Sequence, residues 1–190
     1  VDYVDIRGGN GNNTSIIMKD GEVQEINTGN SLGIRIRVLN NGAWGFAYTN
    51  DLSKLDEIAQ TSIKISNSLK GDESLSKADI IQDKVSTDVK IPFSDVSIEE
   101  KKEIMSEASK AASLKEVTST TVSYSDSQSQ EVILSSEGTS IEMNTNRVAM
   151  FLNAAASDGT MMQIEHTRIG GVKGFAAITD DDTEAFGRKI

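Results

Sequence analysis

The chain has few residues of the types that catalyse reactions. It contains one histidine, His166, among 190 residues, and it has no cysteine. Metal-assisted hydrolysis needs about three protein ligands that hold the ion beside an activated water. His166 and its neighbour Glu165 lie in an alternating strand pattern, so they project to opposite faces and cannot share a metal ion. We therefore predict no catalytic residue and no metal-binding residue in this chain.

A serine nucleophile and a calcium site are two further possibilities. A Ser-His-Asp nucleophile could use His166, but the chain has no G-x-S-x-G elbow to present a serine. The acidic run Asp180–Asp182 could chelate calcium, but the EF-hand spacing is absent. Because this run precedes Thr183, it is more typical of a helix start, where aspartate offsets the positive end of the helix dipole.

Binding residues are easier to find in the stretch from Ser31 to Asp51. Arg35 and Arg37 project from one strand face about 7 Å apart, which is twice the rise per residue. They could bind a peptide carboxylate bidentately or form ion pairs with a neighbouring strand, and the second role is commoner for strand charges. The aromatic row that follows is interpreted as core facing a helix, with a recognition surface as the alternative; it comprises Trp44, Phe46 and Tyr48.

A predicted hairpin and helix position these residues. The stretch divides at Asn41-Gly42 into two arms with strict apolar alternation, and Asn-Gly supplies the positive φ angles of a two-residue turn. Thr49–Asp51 can then cap a helix running to about Leu69. Apolar or small residues recur there at alternating spacings of three and four, which predicts a helix on the apolar face of the hairpin. These residues are Leu55, Ile58, Ser62, Ile65 and Leu69.

The chain before this hairpin predicts further strands. Val1–Arg7 is predicted to form a strand, and the glycine- and asparagine-rich segment Gly8–Asn13 is interpreted as a loop. Asp20-Gly21 marks a second tight hairpin. With the arms described above, this gives about five strands before the helix. Strands joined by tight turns indicate an antiparallel meander.

The second half repeats this organisation after a polar segment. Charged and small residues dominate 71–95, which we interpret as a linker ending near Pro92. Ser97 and Glu100 form a capping box that begins a helix ending near 113–115. A second antiparallel region and a final helix follow. We predict an α+β fold of two antiparallel β-meander units, each packed with amphipathic helices, in domains 1–70 and 96–190.

Composition limits the partners and the compartment. The formal charge of −10 argues against direct nucleic-acid binding, which depends on clustered Lys and Arg. The absence of cysteine fits a reducing cytoplasm, and no apolar run approaches the length of about 20 residues that spans a bilayer. We expect a cytoplasmic protein without a nucleic-acid or membrane partner. The start at Val1 suggests a trimmed piece of a longer protein.

The hairpin resembles the N-terminal domain of the TldD/PmbA family, which comprises zinc metallopeptidases and non-catalytic relatives historically labelled modulators of DNA gyrase. Near the end of the chain, the R-x-G-G-x-x-G element from Arg168 to Gly174 resembles the TldD branch more than the PmbA branch. The hairpin residues that carry the resemblance are Gly33, Arg37, Val38, Gly42, Trp44, Gly45, Phe46, Ala47, Thr49, Asn50 and Asp51.

This resemblance implies where the chemistry lies. Family catalysis uses an HExxxH helix and a later cysteine that hold zinc, and neither is present here. The chain is then the N-terminal and central fragment of a TldD-type peptidase. It needs no cofactor itself, although zinc is expected in the full-length parent. The candidate residues for binding substrate or partner are Arg35, Arg37, Arg168, Gly170 and Gly171.

The family further implies partners. Small or unfolded peptides are the expected substrates, captured by strand addition to a sheet edge. The expected dimer partner is a second copy or a PmbA-like subunit, and the fragment would contribute substrate access and subunit contacts. Two alternatives remain open. The chain could be the N-terminal part of a PmbA-like non-catalytic subunit, or a stand-alone module that interacts through its sheet edges.

Overall fold

The structure is a computed structural model that describes residues 1–180 and 183–189. Asp181 and Asp182, two of the three residues in the predicted calcium or helix-start run, lie outside the described residues. In the part described, no helix is long and apolar enough to cross a membrane. The elements are β1 (Tyr3–Lys19), β2 (Glu22–Asn40), β3 (Ala43–Thr49), α1 (Leu55–Ser68), β4 (Gln82–Ser86), α2 (Ile98–Ala112), β5 (Val117–Ser135), β6 (Ser140–Ser157), β7 (Met162–Gly171), α3 (Ala176–Thr179) and α4 (Thr183–Gly187).

The strands pair in the order β3-β2-β1-β5-β6-β4, and β7 pairs with β6. The β2–β3 and β6–β7 ladders are antiparallel, whereas the short β4 lies parallel to the start of β6. Tight turns carry the chain between successive long strands, with positive φ at Asn41 and Gly42 in the turn between β2 and β3. The predicted α+β class, with helices packed on antiparallel strands, is confirmed.

Contacts group the described chain into two compact units that interleave along the sequence. Unit 1 comprises Val1–Gly11, Asn30–Ser86 and Ser129–Asn144. Unit 2 comprises Asn12–Gly29, Thr87–Gln128 and Thr145–Ile190. The domain boundaries expected near residues 70 and 95 stay a prediction.

Unit 1 has a small core between α1 and the strands beneath it. Ile36, Val38 and Ile58 are buried together. A short 3-10 turn, Leu52–Lys54, leads directly into the helix. The Asp51 side chain caps this turn by accepting a hydrogen bond from the Ser53 backbone N–H at 2.9 Å, whereas α1 itself has no side-chain cap at its N-cap residue Lys54. Ser62 on the buried face donates its hydroxyl to the Ile36 carbonyl at 3.1 Å, which ties the helix to β2.

Unit 2 contains the larger core, in which α2 packs with β1, β5 and β6. The predicted capping box at its start is present in both directions. The Glu100 N–H donates to Ser97 Oγ at 3.2 Å, and the Ser97 N–H donates to Glu100 Oε2 at 2.7 Å. The buried residues of this core are Ile16, Met18, Phe93, Met105, Ala108, Ala112, Val122, Tyr124, Val148, Met150, Leu152, Phe175, Ile178 and Phe186.

The structure corrects the interpretation of residues 8–13 as a loop. They continue β1, so two long strands and the short β3 precede α1 instead of about five short strands. The reason is long-range, because β1 is hydrogen-bonded to β2 on one side and β5 on the other. A Cβ atom at Gly9 would stand 2.9 Å from the Gln130 carbonyl oxygen. This glycine therefore allows a close strand approach where a flexible turn was expected.

Candidate functional site

The face of β2 and β3 that is turned away from α1 carries arginines and aromatic rings. Arg35 lies directly opposite Tyr48 and Arg37 directly opposite Phe46, so all four side chains share one face. The helix packs on the other face, where a Cβ atom at Gly45 would overlap the Ser62 carbonyl oxygen. Phe46 is consequently 47% exposed and Tyr48 76% exposed. The interpretation of the aromatic row as core beneath the helix is wrong for these two residues.

Arg37 has a structural role on this face. Its Nη2 lies 2.5 Å from Asp5 Oδ2, and its Nε donates to the same oxygen at 2.8 Å. Asp5 is 1% exposed, and this hydrogen bond to it raises the pKa of Arg37. The guanidinium carbon also lies 4.9 Å from the centre of the Trp44 ring, which meets Tyr3 edge-on at 6.1 Å. Arg37 and Trp44 therefore hold β1, β2 and β3 together.

Arg35 is placed differently. It has no ion pair among the residues that the structure describes. Instead it lines an open groove of about 510 Å³ that belongs wholly to unit 1. Its lining includes three charged residues, two aromatic residues and one glycine: Arg7, Arg35, Glu131, Phe46, Tyr48 and Gly33.

The groove is locally cationic although the chain is acidic. Arg7 and Arg35 contribute two guanidinium groups, and Glu131 contributes one carboxylate. Arg7 has a distant partner in Asp5, with Nε 3.9 Å from Oδ1. Guanidinium groups bind carboxylates in a planar, bidentate geometry, so a groove of this composition suits a carboxylate ligand.

Gly33 gives the groove extra room. A Cβ atom at Gly33 would meet no heavy atom within 4 Å, and the residue does not occupy the left-handed φ region. Neither crowding nor backbone conformation therefore requires a glycine there. Gly33 and Arg35 are two residues apart on β2, so they lie on the same face. The missing side chain leaves open space beside the Arg35 guanidinium.

β3 also forms one edge of the sheet. In the described chain it pairs with β2 on one side and with no strand on the other. Asn40 and Ala43 flank the two-residue turn and make the first hydrogen-bonded pair, with alternate pairs following. The backbone N–H and C=O groups of Trp44, Phe46 and Tyr48 thus point to the open side. Phe46 and Tyr48 therefore combine an exposed aromatic ring with backbone groups on the open side.

The remaining predicted binding residues lie in unit 2, on β7. Arg168 lies opposite Phe151, and both line a second open groove of about 470 Å³. A Cβ atom at Gly170 would overlap the Val148 carbonyl oxygen, and one at Gly171 would stand 3.0 Å from the Ala177 Cβ. Packing against β6 and α3 explains both glycines. The role of these three residues in binding stays a prediction.

A buried polar cluster in unit 2 was missed by the sequence analysis. Lys101 Nζ lies 2.7 Å from Asp126 Oδ2, and the Tyr124 hydroxyl donates to the same oxygen at 2.6 Å. All three residues are buried, and burial together with the hydrogen bond to Asp126 raises the pKa of Tyr124. The sequence carried a signal, because Lys101 falls on the helical stripe between Ile98 and Met105.

The side chains present here do not suit zinc. Among the residues that the structure describes, no group of three His, Cys, Asp or Glu side chains is placed to hold a metal ion. His166 lies on β7 opposite Asn153 and is exposed. Residues 1–180 and 183–189 thus offer no cluster of the nitrogen, sulfur or carboxylate ligands that a protein zinc site requires.

Family models match most of the chain. The one described as PmbA/TldA metallopeptidase domain 1 matches residues 4–66, and the one described as the PmbA/TldA metallopeptidase central domain matches residues 91–190. Among curated proteins, a metalloprotease of Methanothermobacter thermautotrophicus is 47% identical over all of this chain. A metalloprotease of Methanocaldococcus jannaschii is 36% identical over 95% of it. The chain covers 42% and 41% of these proteins, so it spans about two fifths of their length.

Solved structures share the fold. A protein of Bacteroides thetaiotaomicron described as a modulator of DNA gyrase has a TM-score of 0.81 at 18% identity, with 98% of this chain and 44% of that chain covered. TldE of Thermococcus kodakarensis has a TM-score of 0.73 at 15% identity, with 99% and 43% covered. These similarities support the arrangement of strands and helices described above.

Proposed function

Because the chain belongs to the PmbA/TldA metallopeptidase family, we propose that it forms the non-catalytic first and central domains of a longer zinc-dependent peptidase. One observation carries this proposal: both family domains are matched in order, yet the chain covers only 42% of its 47%-identical relative. Under this proposal, the zinc ligands belong to the portion of the longer protein that this chain does not cover.

We propose further that these domains control which peptides reach the catalytic domain. The groove of unit 1 supports this role, since it combines the Arg35 guanidinium, exposed aromatic rings and an open strand edge. Extended peptides bind to such edges through backbone hydrogen bonds. The proposed substrates are small or unfolded peptides, and the proposed setting is a cytoplasmic dimer with a second copy or a PmbA-like subunit. The negative charge of the chain gives no support to direct nucleic-acid binding.

The test compares the complete protein with the 190-residue chain. The complete protein is expected to bind about one zinc per catalytic domain and to cleave unfolded peptides. A chelator should abolish this cleavage, and added zinc should restore it. The 190-residue chain should bind no stoichiometric zinc and cleave nothing. Zinc-dependent cleavage by the short chain would contradict the proposal. A complete protein without zinc would instead indicate a non-catalytic, PmbA-like subunit.

A further inference from the structure

The groove of unit 1 and the open edge of β3 adjoin each other through Phe46 and Tyr48. We propose that together they bind an extended peptide segment carrying acidic side chains, which adds a strand to β3. This inference rests on the proposed function, because it names the class of peptide that the first domain takes. The occupant follows from three features of the described residues: the backbone edge, the charge and the open space.

The backbone edge sets the conformation of the peptide. The Glu73 N–H donates to the Gly42 carbonyl at 3.1 Å, so the chain itself covers the start of this edge. Beyond it, the N–H and C=O groups of Phe46 and Tyr48 face away from β2, so an extended segment can pair with them as a further antiparallel or parallel strand. Side chains of an added strand alternate between the two faces. Every second side chain therefore lies beside the exposed rings of Phe46 and Tyr48 on the groove side.

The charge sets the preferred side chain. Arg35 is unpaired among the described residues, and Arg7 lies in the same lining, whereas the chain as a whole carries −10. An added strand lies two strand spacings from β2, or about 10 Å. A glutamate side chain and the Arg35 side chain together span that distance across Tyr48. The carboxylate then replaces the water that otherwise solvates the guanidinium.

The open space beside Arg35 accommodates the glutamate side chain of the peptide. Gly33 provides this space, because a Cβ atom at Gly33 meets no heavy atom within 4 Å. Glu131 at the other side of the groove repels a second carboxylate placed near β5. The geometry thus favours an acidic side chain directed toward Gly33 and Arg35, and disfavours one directed toward β5.

Binding of designed peptides to the 190-residue chain tests the inference. Three labelled eight-residue peptides alternate threonine with glutamate, glutamine or lysine, and fluorescence anisotropy measures their affinities. The glutamate peptide should bind about tenfold more tightly than the glutamine peptide, as expected for one charge-assisted contact. The lysine peptide should bind more weakly than either. Raising the salt concentration should reduce the glutamate preference.

Matched variants locate the contact. Arg35→Gln should remove the tenfold preference for glutamate. Lys64→Gln removes the same charge from the exposed surface of α1 and should leave the preference unchanged. Gly33→Leu should weaken binding of all three peptides at least tenfold by filling the groove. Circular-dichroism melting of each variant should match the wild-type chain, since a Cβ atom at Gly33 meets open space and Arg35 has no ion pair among the described residues.

Backbone methylation tests strand addition directly. N-methyl groups on one alternate set of peptide residues should abolish binding, while the same groups on the other set should have little effect. Equal effects of both sets would overturn the strand geometry.

Three other outcomes would overturn the inference. They are equal affinity for glutamate and glutamine peptides, equal effects of Arg35→Gln and Lys64→Gln, and dimerisation of the chain through β3 that Tyr48→Lys disrupts. None of them depends on zinc or on hydrolysis, so this failure is distinguishable from failure of the proposed function.

Discussion

Gly45 on β3 lies directly beneath the backbone of Ser62 on α1, so closely that a Cβ atom at Gly45 would overlap the Ser62 carbonyl oxygen. This approach decides which face of the hairpin the helix covers. Because Gly45 faces the helix, its neighbours Trp44 and Phe46 must face the other way. Gly45 thus lets the helix lie close on the face opposite the aromatic side chains.

Replacing Gly45 with alanine should destabilise the chain strongly. We expect a loss of about 3 kcal/mol in the free energy of unfolding, since α1 must move away from β3 to admit the methyl group. Gly33→Ala is the matched control on β2. It should be neutral or stabilise by about 0.5 kcal/mol, because its methyl group enters open space. Urea denaturation measures both variants, and equal values would contradict the assigned roles of the two glycines.

Arg35 and Arg37, the two arginines of β2, should differ in their effect on the free energy of unfolding. Arg37→Gln should cost about 2 kcal/mol, because it leaves the carboxylate of Asp5 buried without its closest partner. Arg35→Gln should change the free energy of unfolding by less than about 0.5 kcal/mol. A large loss for Arg35→Gln would show an ion-pairing role that the described residues do not provide.

The buried pair in unit 2 should show strong coupling. Lys101→Met leaves Asp126 buried and unpaired, and we expect a loss of about 4 kcal/mol. The double variant Lys101→Met, Asp126→Asn should recover more than half of that loss. The asparagine carbonyl oxygen still accepts the Tyr124 hydroxyl, and no charge remains buried. A double-mutant cycle measures the coupling, and additive effects of the two changes would exclude it.

Stability should depend on pH through the capping box of α2. The backbone hydrogen bond from Ser97, assisted by its hydroxyl, lowers the pKa of Glu100 below the ordinary value of 4.5. The contribution of the Glu100 carboxylate to the free energy of unfolding is therefore fully present above about pH 4.5. It is lost as the pH falls through the lower pKa of the folded state.

Denaturation at pH 6 and pH 3 checks this dependence. Glu100→Gln should be less stable than the wild-type chain at pH 6, and the difference should shrink at pH 3. Glu103→Gln, an exposed change on the same helix, should show no such convergence. A difference at pH 3 as large as that at pH 6 would contradict the assigned role of the Glu100 carboxylate.

The features that the sequence predicted correctly depend on neighbouring residues. The turn at Asn41-Gly42, the Asp51 cap and the Ser97–Glu100 capping box each form within four residues. Their physical causes are complete in a short segment, so composition and spacing are enough to predict them.

The features that were missed depend on partners far away in sequence. Residues 8–13 are extended because β2 and β5 pair with β1, and no local pattern reveals those strands as neighbours. Lys101 is buried because Asp126 lies opposite it, which a helical stripe of apolar residues alone does not show.

The open aromatic face could have been predicted. A two-residue turn at Asn41-Gly42 fixes the register, so Phe46 must face Arg37 and Tyr48 must face Arg35. Period-2 alternation then places Gly45 and Ala47 on the face shared with Ile36 and Val38. The alternation within each arm of the hairpin predicts the periodicity correctly. It does not show that the aromatic residues of β3 share a face with the arginines of β2, which only the pairing of the two arms determines.

The interleaved units have a consequence for inheritance and synthesis. Ile16 and Met18 complete the core of unit 2, although they precede most of unit 1 along the chain. A recombination event near residue 70 would therefore separate unit 2 from Ile16 and Met18 and leave a cavity in its core. On the ribosome, Ile16 and Met18 are synthesised before α2, β5 and β6, which supply most of the core in which they are buried. Exchanging either half alone thus separates Ile16 and Met18 from the buried residues of β5 and β6 that share their core.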